Sequence, residues 1–172
     1  MYGGMCTSEY TQSLLNLSES ANKSEGVKLT TIFLGNESLI QRGRNTIAHH
    51  FMNLPDATHL LFIDADIKFR VEDVVKMIQA DKSLIIGPVG LKGYNWDEIR
   101  QAAINGEDDI GRTGGVFNIN KLPGVDMVDE NEPFEIEHGG NAFMMIRRDC
   151  FETLKPHTPI YTNGGRSLPD GV

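Results

Sequence analysis

Apolar residues recur along this chain in two rhythms, a three-to-four spacing that makes one face of a helix and short unbroken runs that make buried strands. Tyr10, Leu14, Leu17 and Ala21 share one face behind Thr7 or Ser8, either of which caps a helix. After a polar turn, residues 27–34 alternate as a strand that Gly35 and Asn36 end. Ser38 with Gln41 three residues on is a capping box, which predicts a helix opening at Leu39 and carried by Ile40, Ile47, Phe51 and Met52. Pro55 and Asp56 break that pattern. The run Leu60, Leu61, Phe62, Ile63 then reads as a strand covered on both faces, hence central in a sheet.

Further on, Val71, Val74, Val75 and Ile78 recur at helical spacing, with Glu72 and Asp73 in the first turn where the helix dipole favours them. Leu84, Ile85 and Ile86 form another buried strand closed by Gly87 and Pro88, and Lys92 follows in a Gly-rich turn. Asn95 and Glu98 open a short helix ending near Gly106; Trp96 is either a wall of a pocket or a packing anchor. Residues 107–115 are acidic and Gly-rich, the best candidate for a mobile segment beside a site. Residues 116–120 and 134–137 are short strands, 143–146 a buried one, and 148–154 a helix stopped by Pro156; a turn-rich stretch follows through Pro169, Asp170 and Gly171.

Candidate chemistry gathers where the strand at residues 60–63 ends in Asp64, Ala65, Asp66. Period-two geometry points both carboxylates the same way, at the strand end where open α/β sheets bind ligands. Two carboxylates about 5 Å apart at an effective dielectric near 20 repel by roughly 3 kcal/mol, so the pair calls for a cation. Hard oxygen donors without a Cys or His cluster favour Mg2+ or Mn2+ over zinc, and such ions complete their shell with water and phosphate oxygens. Arg42, Arg44 and Asn45 lie near the positive end of the preceding helix, and Lys92 reaches a phosphate or remains a solvated loop lysine. His138 stands beside Gly139 and Gly140, where a backbone without side chains admits a close neighbour; it either completes the site or is structural.

Arg44 and Asn45, an apolar strand and Asp64-Ala65-Asp66 together resemble the RN and DxD signature of GT-A glycosyltransferases, especially family-2-like and Anp1-type enzymes. Downstream, Gly139, Gly140, Asn141 and the strand to Ile146, then Arg147, Arg148, Phe151 and Leu154, are similar to the small-residue turn, strand and RR-x-x-F ending on the acceptor side of that fold. The resemblance implies a metal-dependent glycosyltransferase of α/β GT-A type, with a mixed, mostly parallel sheet and helices on both faces, built as one domain over residues 1–172. It implies that Asp64 faces the ribose, that Asp66 binds Mn2+ or Mg2+ bridging the diphosphate, and that Arg44, Asn45 and Lys92 bind the nucleotide. His138, Gly139, Gly140 and Asn141 fall on the acceptor side. The implied partners are a nucleotide-diphosphate sugar, a uridine diphosphate in preference to a guanosine diphosphate, and a carbohydrate or other hydroxyl acceptor. In the resembling enzymes a first strand precedes Met1–Gly4 and an acidic motif beyond the RR-x-x-F helix supplies the base, so the expectation is a domain lacking both, with no catalytic base assigned and poor transfer on its own.

Composition narrows the partners. A formal charge of −8 argues against a protein that coats nucleic acid or anionic membrane. No apolar run approaches the roughly 20 residues that span a bilayer. Cys6 and Cys150 are too few for a metal or disulfide framework, which makes a reducing, cytoplasmic setting the expectation. A DxD phosphatase of haloacid-dehalogenase type wants Thr or Val and then an apolar residue shortly after the second Asp, whereas Ile67 is followed by Lys68 and Phe69. An EF-hand lacks its sixth-position glycine, here Phe69. The alternative that stands is a non-catalytic nucleotide- or carbohydrate-binding module.

Overall fold

The computed structural model describes residues 4–108, 110–125 and 132–158. The turns expected at residues 1–3 and around Pro169, Asp170 and Gly171 lie outside the described residues. In chain order the elements are α1 (Ser8–Lys23), α2 (Ile40–Met52), β1 (His59–Ile63), α3 (Val71–Gln79), β2 (Leu84–Ile86), β3 (Gly90–Tyr94), α4 (Trp96–Asn105), α5 (Ile110–Thr113), β4 (Gly115–Phe117), β5 (Ile119–Lys121), β6 (Ile136–Gly139), β7 (Phe143–Arg147) and α6 (Arg148–Leu154), with a 3-10 turn at Lys155–His157.

The main sheet has the order β1-β7-β2, and both pairings are antiparallel. This corrects the expected mostly parallel sheet. β1 and β2 do run in the same direction, but β7 lies between them and supplies the hydrogen bonds to both, so β7 rather than β1 is the central strand. Coverage on two faces holds nevertheless, because strand side chains alternate. Leu61, Ile63, Phe143 and Met145 pack with Tyr10 and Leu17 of α1 and Val74 and Met77 of α3. Leu60, Phe62, Met144 and Ile146 face the other way, against Phe51 of α2 and Phe151 of α6. The result is a mixed α/β arrangement with helices on both sheet faces. Two further antiparallel pairs, β3 with β4 and β5 with β6, flank it.

Local chemistry explains the helix starts. Thr7 caps α1, its hydroxyl accepting from the Tyr10 N–H at 3.1 Å, and Asn95 caps α4, accepting from the Glu98 N–H. Gly106 ends α4 at φ 74°, a left-handed conformation that glycine takes without a Cβ clash. The start of α2 differs from expectation. Ser38 and Gln41 form no capping box; the helix opens one residue later with Leu39 at the cap, and the Glu37 carboxylate accepts the Leu39 N–H at 3.0 Å. Glu37 wins because Arg42 grips it through two 2.6 Å hydrogen bonds, which draws its pKa down to about 2.

Three other expectations are revised. Residues 27–34 form no strand, and Val27, Leu29 and Phe33 are exposed; alternation makes a strand only where a neighbouring strand and a covering face exist, and the described sheets are built from other segments. The buried face of α3 is Val74 and Met77, leaving Val75 and Ile78 exposed. The segment at residues 107–115, read as a candidate mobile segment, carries the short helix α5.

Candidate functional site

β1 stops at Ile63, and the backbone turns at once: the Ile67 N–H donates to the Asp64 carbonyl at 3.0 Å. Asp64 and Asp66 are therefore placed by a tight turn, not by the continued period-two strand that the spacing suggests. Both nevertheless line one cleft of about 380 Å³, together with Ile67, Ile86, Gly87, Val89, Gly90, Leu91, Lys92, Asn118, Gly140 and Ala142. The turn is pinned from two directions. Its Asp64 N–H donates to the Ala142 carbonyl at 2.8 Å, extending the β1–β7 ladder, and the Thr7 N–H donates to the Ala65 carbonyl at 2.9 Å. Thr7 thus caps α1 and holds the acidic turn with the same residue, a role the sequence pattern does not disclose.

Each carboxylate has its own cation. Arg44, presented by α2, donates to Asp64 Oδ1 at 3.0 Å and to the Asn141 carbonyl at 2.8 Å, while its guanidinium lies 5.0 Å from the centre of the Phe62 ring. Its side chain is only 18% exposed. Lys92 donates to Asp66 Oδ2 at 3.0 Å from a side chain that is 90% exposed. It comes from an irregular part of β3: Gly90 pairs with Phe117 and Tyr94 with Gly115, so three residues of β3 stand opposite one of β4. Burial pushes the Asp64 carboxyl above the usual aspartate range; Arg44 opposes this and the neighbouring Asp66 adds to it.

Gly140 and Asn118 also line the cleft. The Gly140 N–H donates to the Asn118 carbonyl at 2.8 Å, and a Cβ on Gly140 would sit 2.7 Å from the Asn118 amide nitrogen. A side chain there would push the Asn118 amide aside. Asn118, between β4 and β5, is a cleft residue that no sequence motif marks.

The structure thus brings Asp64, Asp66, Lys92 and Gly140 to the cleft, and joins Arg44 and the Asn141 carbonyl to it through the Arg44–Asp64 pair without making either part of its lining. It leaves out others. Asn45 is exposed on α2 and His138 on β6, where it lies 3.9 Å from the Glu137 carboxylate; neither lines the cleft, and Gly139 adjoins it only through its Asn118 and Ile86 neighbours. Arg42 is engaged by Glu37. Trp96 is neither wall nor anchor: it is 67% exposed with its ring 5.7 Å from that of Tyr94. The tandem arginines are structural. Arg147 binds Asp81, Ser83 and Asp149, and Arg148 donates to the carbonyls of Phe51, Leu54 and Ala57.

Among the described residues no group of three or more His, Cys, Asp or Glu side chains could hold a metal ion by itself. Two carboxylates exposed to a cleft do suit a hard divalent ion, which ordinarily takes one or two protein carboxylates and draws its other ligands from water and phosphate. The oxygens of Asp64 and Asp66 are donors of the kind such an ion accepts. No described helix is long and apolar enough to cross a membrane, and Cys6 and Cys150 are free thiols.

No protein-family model matches the chain, and no curated protein matches it. A solved structure, the crystal structure of A197 from STIV, is similar over 81% of this chain and 60% of that one, with 16% identity and a TM-score of 0.47. The chain spans less than two thirds of that protein's resolved length.

Proposed function

We propose that this chain is a metal-dependent glycosyltransferase of GT-A type whose cleft at Asp64 and Asp66 binds a nucleotide-diphosphate sugar. The observation that carries the reading is the alternation of charge around one turn: two carboxylates facing a cleft, each within 3.0 Å of a cation from a different element. A divalent ion and a diphosphate present the complementary set of charges. Asp64 and Asp66 would hold the ion, and Arg44 and Lys92 would donate to phosphate oxygens. When bound, such an ion neutralises charge on the departing nucleoside diphosphate. Gly140 and Asn118, which also line the cleft, would face a sugar or its acceptor. The order of the two motif blocks along the chain supports the GT-A assignment, and β1 and β2 running the same way is compatible with it.

A specific observation also favours the binding-module alternative. Asp64 and Asp66 are the only carboxylates among the described residues that line the cleft, and both are assigned to the ion, which leaves no general base. One assay separates the readings. The chain is incubated with UDP- and GDP-sugars and Mn2+, and nucleoside diphosphate release is followed. Glycosyl transfer or donor hydrolysis predicts release that a chelator abolishes. Nucleotide binding without release supports the module, and cleavage of p-nitrophenyl phosphate instead would transfer the site to the phosphatases.

A further inference from the structure

We infer that Lys92 is an exchangeable counter-ion, shared between Asp66 and an oxyanion of a diphosphate, so that a divalent cation and a diphosphate bind this cleft with positive coupling. The inference rests on the reading of the cleft as a metal–diphosphate site and adds the residue that links the two ligands.

The two cations paired with the carboxylates are held very differently. Arg44 is largely covered and divides its guanidinium among the Asn141 carbonyl, Asp64 and the Phe62 ring, so it cannot leave without surrendering three contacts. Lys92 is 90% exposed, and Asp66 is its one hydrogen-bond partner among the described residues. Exposed ion pairs of this kind are weak, so displacing the ammonium costs little. Its stem is flexible and its three donors rotate freely. Lys92 lies in the irregular stretch of β3 between the Gly90–Phe117 and Tyr94–Gly115 pairs, next to Gly93.

Charge balance sets the direction of exchange. The side chains of Arg44, Lys92, Asp64 and Asp66 sum to zero. A divalent cation on the carboxylates leaves an excess of two positive charges, which the two phosphate charges of a nucleoside-diphosphate sugar neutralise. Lys92, displaced from Asp66, then stands at the cleft wall with no carboxylate and donates to a phosphate oxygen instead. A cation alone must displace Lys92 without that return, and a diphosphate alone meets two carboxylates. Each ligand therefore improves the site for the other, by the same factor in both directions.

The test measures free Mn2+ by electron paramagnetic resonance during titration, with and without UDP, and UDP affinity by calorimetry, with and without Mn2+. Relative to the parent, Lys92→Met is expected to bind Mn2+ alone about three- to five-fold more tightly, since it removes a weak competitor. The same variant is expected to lose about tenfold of the mutual enhancement between Mn2+ and UDP, since it removes a charged hydrogen bond to phosphate. Lys92→Arg keeps the enhancement. Unchanged Mn2+ affinity together with unchanged enhancement in Lys92→Met overturns the inference while leaving the site reading intact. Asp66→Asn distinguishes the other failure: if it binds Mn2+ like the parent, or if the parent binds none, the site reading itself falls and the exchange with it. Lys92 is too exposed for its replacement to disturb folding, and thermal melts of each variant check this.

Discussion

At one end of the β1–β7 ladder Arg148 lies 4.6 Å from the centre of the Phe51 ring, and at the other Arg44 lies 5.0 Å from that of Phe62. The device is the same, a guanidinium over a phenylalanine with donors reaching backbone carbonyls of another segment. The outcomes differ. Arg148 spends its donors on the carbonyls of Phe51, Leu54 and Ala57, in the last turn of α2 and the turn that follows it, adding to the bonds that the Leu54 and Ala57 N–H groups already give the first two, so it ties that end of α2 to β7 and α6. Arg44 gives one arm to the Asn141 carbonyl and the other to Asp64, a carboxylate that is half exposed to a cleft. An arginine that ends on carbonyls is finished; one that ends on an accessible carboxylate leaves a charge pattern that a ligand can rearrange. The RR pair, expected on the acceptor side by resemblance, belongs to the finished end.

The contrast predicts a graded set of effects. The largest falls on Arg148→Met, which removes three hydrogen bonds to carbonyls and uncovers Phe51: about 3 kcal/mol of stability should be lost in urea unfolding. A loss below about 1 kcal/mol would mean that water replaces those bonds and Arg148 does not tie that end. Arg44→Ala should weaken nucleoside-diphosphate binding by roughly 1.5 to 3 kcal/mol while costing stability less than Arg148→Met does. Equal stability losses with unchanged binding would make the two arginines equivalent and erase the distinction.

The smallest effects are in pH dependence, and their signs are opposite. Glu37, held by Arg42 and the Leu39 N–H, titrates near 2 in the folded chain. Its stabilisation is present above the ordinary glutamate pKa and is lost as pH falls toward 2, so Glu37→Gln should flatten the acid limb of a Tm-against-pH curve. Asp64 has a folded pKa above its ordinary value. Its protonated form is favoured by folding, so stability declines as pH rises through the aspartate range, and Asp64→Asn should remove that decline. A steeper acid limb in Glu37→Gln, or an unchanged curve in Asp64→Asn, would contradict these assignments.

Much of this was legible in the pattern of residues, and the exceptions have physical causes. The apolar runs at residues 60–63, 84–86 and 143–146 each form a strand, but the run at 84–86 is not the buried strand expected: β2 lies at the edge of the described sheet, paired with β7 alone, and Leu84 is exposed. Which strand neighbours which is not local, and three short runs of similar composition gave no hint that β7 separates β1 from β2. Ser38 and Gln41 are a good capping signal on paper, yet a glutamate one residue earlier, strengthened by Arg42, took the role. The DxD turn, Arg44 and Lys92 were recognisable from residue type and order. Thr7, Asn118 and the irregular stretch of β3 were not, because they act through backbone groups that any residue carries.

The most direct test of the central claim is calorimetric titration of UDP into the parent chain and into Asp66→Ala, with Mn2+ and with chelator. Asp66 is exposed and past the last residue of β1, so the variant should keep the parent's melting temperature within a degree or so, in keeping with the small effect of surface substitutions. The predicted result is Mn2+-dependent UDP binding in the parent that is absent from the folded variant. Binding of equal strength in Asp66→Ala, with Mn2+ present, would contradict the assignment of this cleft as a metal–diphosphate site.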